Sequence, residues 1–189
     1  DALEALAMAG AFAGCSDLDR RSALWAAGAL RDARPDTLPG LVGGAEAPTL
    51  PGMSGADELA ADLWSMGLSP GHHPIALVRA VLDERGVVAI ENLRGREHRS
   101  VIEVAGIVTH RQRPATAKGV IFINLEDETG LLNVICTPGV WRRYRQVGRT
   151  SGALIVRGVL ERRQGVTNLR AVRLLPLPGG SALRSRDFR

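Results

Sequence analysis

Lysine is almost missing from this chain: of its 24 basic residues, only Lys118 is not an arginine. A GC-rich genome produces that bias unaided, so arginine enrichment by itself assigns no function. Cysteine is nearly as scarce. Cys15 and Cys136 lie far apart, and neither has a Cys or His at metal-ligand spacing. That argues against a zinc site and leaves two reduced, small apolar side chains of the kind found in cytosolic proteins. No apolar run approaches the roughly 20 residues that span a bilayer, and no basic-then-apolar signal opens the chain. Membrane insertion and export are therefore not expected, and the expected location is the cytoplasm.

What is present is the composition of a globular chain, 45% hydrophobic and 23% charged over 189 residues. The charge is split. Residues 1–100 carry 9 Arg against 14 Asp and Glu, a net −5, while residues 101–189 carry 15 Lys and Arg against 6 acids, a net +9. Two units are implied, the second facing an acidic partner such as nucleic acid.

The hydrophobic period divides the chain in the same way. "DALEALAMAGAF" opens with helical spacing at Leu3, Leu6 and Ala7, with Asp1 as a cap and Gly14 as a stop. "SDLDRRSALWAAGAL" predicts a second helix capped by Asp17. With no initiator Met and a pattern already under way, the chain reads as part of something longer. Residues 35–53 are rich in Pro and Gly and predict a linker, with Leu38, Leu41, Val42 and Leu50 available to dock on a neighbour. Residues 54–99 predict a helical connector. Its first helix has Ser54 as cap, Gly67 as stop and Leu59, Leu63, Trp64 and Met66 as apolar side. Its second has Pro74 in the first turn and a buried stripe of Leu77, Val78, Val81 and Leu82. The His72–His73 pair has no further ligand in view and reads as capping or exposed.

Beyond Val101 the period becomes two. Five strand-like runs follow, "VIEVAGIVTHRQR", "GVIFINLE", "GLLNVICT", "GALIVRGVLERR" and "VTNLRAVRLLPL", with the short helix "PGVWRRYRQVG" between the third and fourth. That order is the OB-fold, a five-stranded Greek-key barrel, here over residues 100–178 with a basic tail at 179–189. The fold class expected is α+β: an N-terminal helical segment followed by a five-stranded OB-fold β-barrel. Trp141 and Tyr144 would cover the open end of the barrel while Arg142, Arg143 and Arg145 face out, away from the binding groove together with Arg149.

Glu126, Asp127 and Glu128 pose a choice between a metal site and a turn. They sit in "LEDETG" between two alternating runs, and Glu103 and Glu161 are isolated, so they read as a hairpin corner. Alternation puts Ile121, Ile123, Leu125, Leu132, Val134 and Cys136 in the core. It leaves Phe122 and Asn124 facing Leu131, Asn133 and Ile135 outside, where a ring can stack a base and amides can bond its edges. His110, Arg111, Arg113 and Lys118 bracket the first loop, Arg162 and Arg163 border the last turn, and Arg157 points outward from the fourth strand. In an OB-fold those two loops flank one groove, where positive charge tracks a phosphate backbone. The DNA-contact set is therefore His110, Arg111, Arg113, Lys118, Phe122, Asn133, Arg157, Arg162 and Arg163, with no catalytic or metal-binding residue.

The run "VAGIVTHRQRPATAKGVIFINLEDETGLLNVICTPGVWRRYR" resembles the OB segment of the bacterial error-prone C-family DNA polymerases, paralogues of the DNA polymerase III alpha subunit. "DALEALAMAGAFAG", "DRRSALWAAGAL", "ADLWSMGLSPGHHPIALVR" and "SRDFR" extend the likeness over nearly the whole chain. The resemblance implies the C-terminal piece of a damage-inducible translesion polymerase, with residues 1–34 as the tail of a helix-hairpin-helix segment. It implies an OB domain on single-stranded template DNA, and magnesium-dependent palm aspartates elsewhere in the parent. Accessory mutasome proteins and a sliding clamp are implied as the parent's partners, although no clamp-binding peptide is visible here. Two other readings keep the barrel. One is a protein-docking module for accessory subunits; the other, the anticodon-binding barrel of a class II aminoacyl-tRNA synthetase, needs a catalytic domain downstream. No nucleophile–base pair supports an independent hydrolase.

Overall fold

The computed structural model describes residues 2–31, 44, 46–163 and 165–178. The expected cap at Asp1, most of the 35–53 linker, and the 179–189 segment with "SRDFR" lie outside the described residues. Two compact units divide the chain, Asp1–His73 and Pro74–Arg189.

The first unit holds α1 (Ala2–Met8), α2 (Arg20–Arg31) and α3 (Gly55–Met66). The first helix stops well before Gly14, because Gly10 takes a left-handed φ of 73°. The second is capped by Asp19 rather than Asp17: its carboxylate accepts from Ser22 N at 2.8 Å. The third begins and ends where expected. Ser54 and Asp57 form a reciprocal capping box, and Gly67 closes the helix at φ 72°. Its buried side differs from the expected one. Trp64 is 66% exposed and Met66 is exposed, while Ala61 and Asp62 are buried and Arg20 Nη1 meets Asp62 Oδ1 at 2.7 Å.

In the second unit the connector is a broken helix, a 3-10 turn at Ala76–Val78 followed by α4 (Arg79–Glu84). The predicted stripe is shifted. Leu77 and Val81 are exposed, and Ile75 and Leu82 are the buried anchors. They pack with Val87, Ala105 and Ile155 over one side of the barrel.

The barrel itself is β1 (Val101–Gln112), β2 (Ile121–Asp127), β3 (Gly130–Cys136), β4 (Ala153–Arg163) and β5 (Val166–Pro176), closed in the order β1-β2-β3-β5-β4. All neighbours are antiparallel except β3 and β5, which pair in parallel at Asn133↔Asn168 and Ile135↔Arg170. This is the OB topology. The alternating residues fill the interior as expected: Ile123, Leu125, Val134, Cys136, Val156, Leu160 and Leu169 are all fully buried. Burial pushes the Cys136 thiol up to about 12. Closure at this radius needs absent side chains. A Cβ on Gly158, at the β4 bulge, would stand 2.6 Å from the Arg170 carbonyl oxygen.

Where one helix was expected after β3, two short ones form, α5 (Pro138–Arg143) and α6 (Arg145–Thr150), broken at Tyr144. Val140, Trp141, Tyr144 and Val147 pack against the barrel core from this end.

Candidate nucleic-acid interface

Residues between the core positions point outward, and strand register gathers them into rows. One row runs His110, Asn124, Asn133, Asn168 and Glu161 across β1, β2, β3, β5 and β4. The adjacent row runs Gln112, Phe122, Ile135 and Arg170. Asn133 Nδ2 donates to Asn168 Oδ1 at 2.7 Å, and Arg170 Nε donates to Glu161 Oε1 at 2.7 Å. Three asparagines in line supply donors and acceptors suited to base edges, and the half-buried Phe122 ring borders them. Sequence pattern does not point to Asn168 or Arg170. Only the parallel β3–β5 closure brings them beside Asn133, and hydrophobic alternation carries no trace of that pairing.

The cationic rim is smaller than the sequence suggests. Arg113 and Lys118 stand exposed on the β1–β2 loop, and Arg163 is exposed at the end of β4. Arg111, expected at the same rim, is only 8% exposed. Its Nε donates to Gly148 O and its Nη2 to Ser151 O, each at 2.6 Å. Those carbonyls close α6 and have no helical partner, so Arg111 serves as a helix clamp. Arg162 is also a clamp: Nη2 donates to Leu93 O and, at 2.8 Å, to Arg94 O in the 3-10 turn Ile90–Gly95. Arg157 is exposed on β4 between Glu103 and Arg173, on the strand that the barrel order separates from β2 and β3. His110 lies in the amide row, half-buried, with Nδ1 3.3 Å from Thr109 Oγ1.

The carboxylates form a corner of two turn residues, since Asp127 pairs directly with Gly130. Asp127, 2% exposed, accepts from Thr129 N at 2.8 Å, Gly130 N at 3.1 Å and Ile90 N at 2.8 Å. Arg79 Nη2 reaches it at 3.2 Å, and the same guanidinium grips Glu128 through Nε at 2.5 Å and Nη2 at 3.1 Å. The hydrogen bond to Glu128 is the largest cause holding the Arg79 guanidinium above its usual value. With their oxygens committed to Arg79 and to main-chain N–H groups, these carboxylates do not fit a divalent cation. No group of three or more His, Cys, Asp and Glu at metal-binding distance occurs among the described residues.

The helix arginines, expected to lie away from the groove, gather at a cleft of their own. Arg142, Arg145 and Arg149 line a cleft of about 640 Å³ together with Arg113, Lys118, Gly119, Ile121, Pro138 and Trp141. Their spacing of three and four is visible in the sequence, but the return of the β1–β2 loop onto the same helices is not. Arg143 points elsewhere, 5.6 Å from the Tyr144 ring centroid.

Residues 102–177 match the family model described as "OB-fold nucleic acid binding domain". Over 187 residues, 99% of this chain, the sequence is 50% identical to the error-prone DNA polymerase of Mycobacterium tuberculosis H37Rv. Along almost all of its length this chain is similar to one stretch of the error-prone DNA polymerases. The enzyme of that name from Cutibacterium acnes is 53% identical over 190 residues, again 99% of this chain. The chain spans 17% of the length of the mycobacterial polymerase and 16% of the C. acnes one. Among solved structures, asparaginyl-tRNA synthetase from Pyrococcus horikoshii aligns at a TM-score of 0.41 and 20% identity, covering 48% of this chain and 22% of that one. No described helix is long and apolar enough to cross a membrane.

Proposed function

We propose that this chain is the C-terminal, DNA-binding portion of an error-prone polymerase acting in damage-induced mutagenesis and translesion synthesis. In this reading the barrel holds single-stranded template across β2, β3 and β5. The observation that carries it is the row Asn124–Asn133–Asn168 beside Phe122, bordered by Arg113 and Lys118 at one loop and Arg163 at the other. Unpaired bases stack on the ring and bond the amides, while the cations follow the phosphates. The unit Pro74–Arg189 carries 20 Lys and Arg against 10 acids, a net +10, which suits a polyanion. Polymerisation, its magnesium ions and the cytoplasmic contacts with mutasome proteins and sliding clamp are assigned to the whole parent.

Fluorescence anisotropy with labelled oligothymidine tests this reading. Phe122→Ala removes one stacking platform worth about 1–3 kcal/mol and is expected to weaken single-strand binding by about five- to a hundredfold. Undiminished affinity at low salt contradicts it.

A second reading, docking of accessory subunits, draws on Leu131 and Val166, which are exposed at the far end of the same face. An apolar contact there persists at high salt, where phosphate contacts fade.

A further inference from the structure

We infer that the cleft between the β1–β2 loop and α5–α6 is a second phosphate-backbone site, distinct from the base-contacting face. It takes a run of consecutive phosphates from a single strand that has crossed that face. Five cations converge there, Arg113, Lys118, Arg142, Arg145 and Arg149, and among the described residues no carboxylate lines the cleft. None of the five forms an ion pair among the described residues, whereas the carboxylates beside Arg20, Arg79 and Arg170 are matched to them. Uncompensated positive charge in a walled cleft focuses potential and collects anions.

Three features show the cleft to be built from fixed parts. Arg142, Arg145 and Arg149 recur every three or four residues, so they share one face of the two short helices. That face is anchored from below, because Arg111 ties Gly148 O and Ser151 O to β1. The opposite wall is the loop, where Lys118 is held at a left-handed φ of 48°, a conformation a lysine adopts at a cost of about 1–2 kcal/mol. Arg113 Nη2 lies 3.9 Å from where a Cβ on Gly119 would stand, beside Pro138. Both loop cations are thus turned toward the helices.

Position links the cleft to the face. Ile121, which lines it, immediately precedes Phe122, and Pro138 follows the end of β3. A strand stacked on Phe122 reaches the cleft by passing over the loop. Its volume of about 640 Å³ lies in the range of pockets that enclose small ligands, wide enough for a short polyphosphate run. Among the described residues that line it only Trp141 is aromatic, and that ring packs on the barrel core and on Gly148. The cleft therefore reads charge and not base identity. The inference rests on the single-strand reading for the nature of its occupant, not for its anion affinity.

Titration calorimetry of the whole chain with inorganic tripolyphosphate at low salt tests the cleft directly. Replacing Arg142, Arg145 and Arg149 together by Ala is expected to weaken tripolyphosphate binding at least about tenfold. The same change lowers the salt slope for an oligothymidine of about 20 nucleotides by about 2, near 0.7 for each phosphate that is no longer neutralised. Phe122→Ala with Asn133→Ala should leave tripolyphosphate binding untouched, and the oligothymidine should displace tripolyphosphate. If the triple variant binds tripolyphosphate as the wild type does, the cleft is not an anion site and the inference falls. If the anion binds but saturating oligothymidine does not displace it, the cleft serves free phosphates and the strand path is wrong. If only the face variant fails to alter DNA binding, the base-contact reading falls while the cleft stands.

Discussion

Residue type tells less than residue surroundings, and the arginines make the point. Arg111 and Arg113 are two positions apart at the same strand end and look equivalent in sequence. One is buried against helix-terminal carbonyls and the other is exposed at a cleft. Their substitutions should separate cleanly. Arg111→Ala leaves the carbonyls of Gly148 and Ser151 without their charged donor, a loss of about 2–4 kcal/mol. Urea unfolding should register that cost, while single-strand affinity measured below the transition stays close to wild type. Arg113→Ala should do the reverse, leaving the midpoint unchanged and weakening DNA binding. A stable Arg111→Ala protein without DNA binding would return Arg111 to the interface.

At the scale of the element, strands are legible and helices less so. Alternation over 121–127 and 130–136 sets both the bounds and the inward face, because one slip of register would turn every Ile, Leu and Val to solvent. Helix 79–84 and the turn before it bury only part of the stripe that periodicity predicts, Leu82 and partly Val78, for a physical reason. Their buried positions face a small patch of barrel wall rather than a broad groove, so Ile75 and Leu82 suffice and Leu77 and Val81 remain outside. The amide row is half legible. Asn124 and Asn133 follow from the β2–β3 hairpin, but Asn168 depends on a parallel pairing between strands distant in sequence. The corner of that hairpin carries its own prediction. Asp127→Asn keeps the shape but sets an amide NH2 against the Ile90 N–H or the Arg79 guanidinium, both donors. Breaking a buried ion pair in this way costs about 3–5 kcal/mol. Chemical denaturation should show a loss in that range, and a loss below about 1 kcal/mol would mean that solvent reaches the site.

For the whole molecule, the question is where the barrel unit begins. Sequence period alone starts it at residue 100, yet the compact unit starts at Pro74. The intervening residues complete the barrel rather than lead to it. Val88 N donates to Glu103 O at 2.8 Å, Ile90 N to Asp127, and Arg79 holds the hairpin corner. Ile75, Leu82, Val87, Val88 and Leu93 are each at most 9% exposed. At about 1.5–3 kcal/mol for each large aliphatic side chain removed from water, these five supply roughly 10 kcal/mol. That equals the entire net stability of an ordinary domain. A fragment of residues 74–189 is therefore expected to unfold in one cooperative transition and to bind oligothymidine with the affinity of the whole chain. A fragment of residues 100–189 loses the five anchors, uncovers Ala105 and Ile155, and strands Asp127 without Arg79. It should show no cooperative thermal transition by circular dichroism. If the shorter fragment melted as sharply as the longer one, residues 74–99 would be a tether after all, and the DNA-binding unit would be the barrel alone.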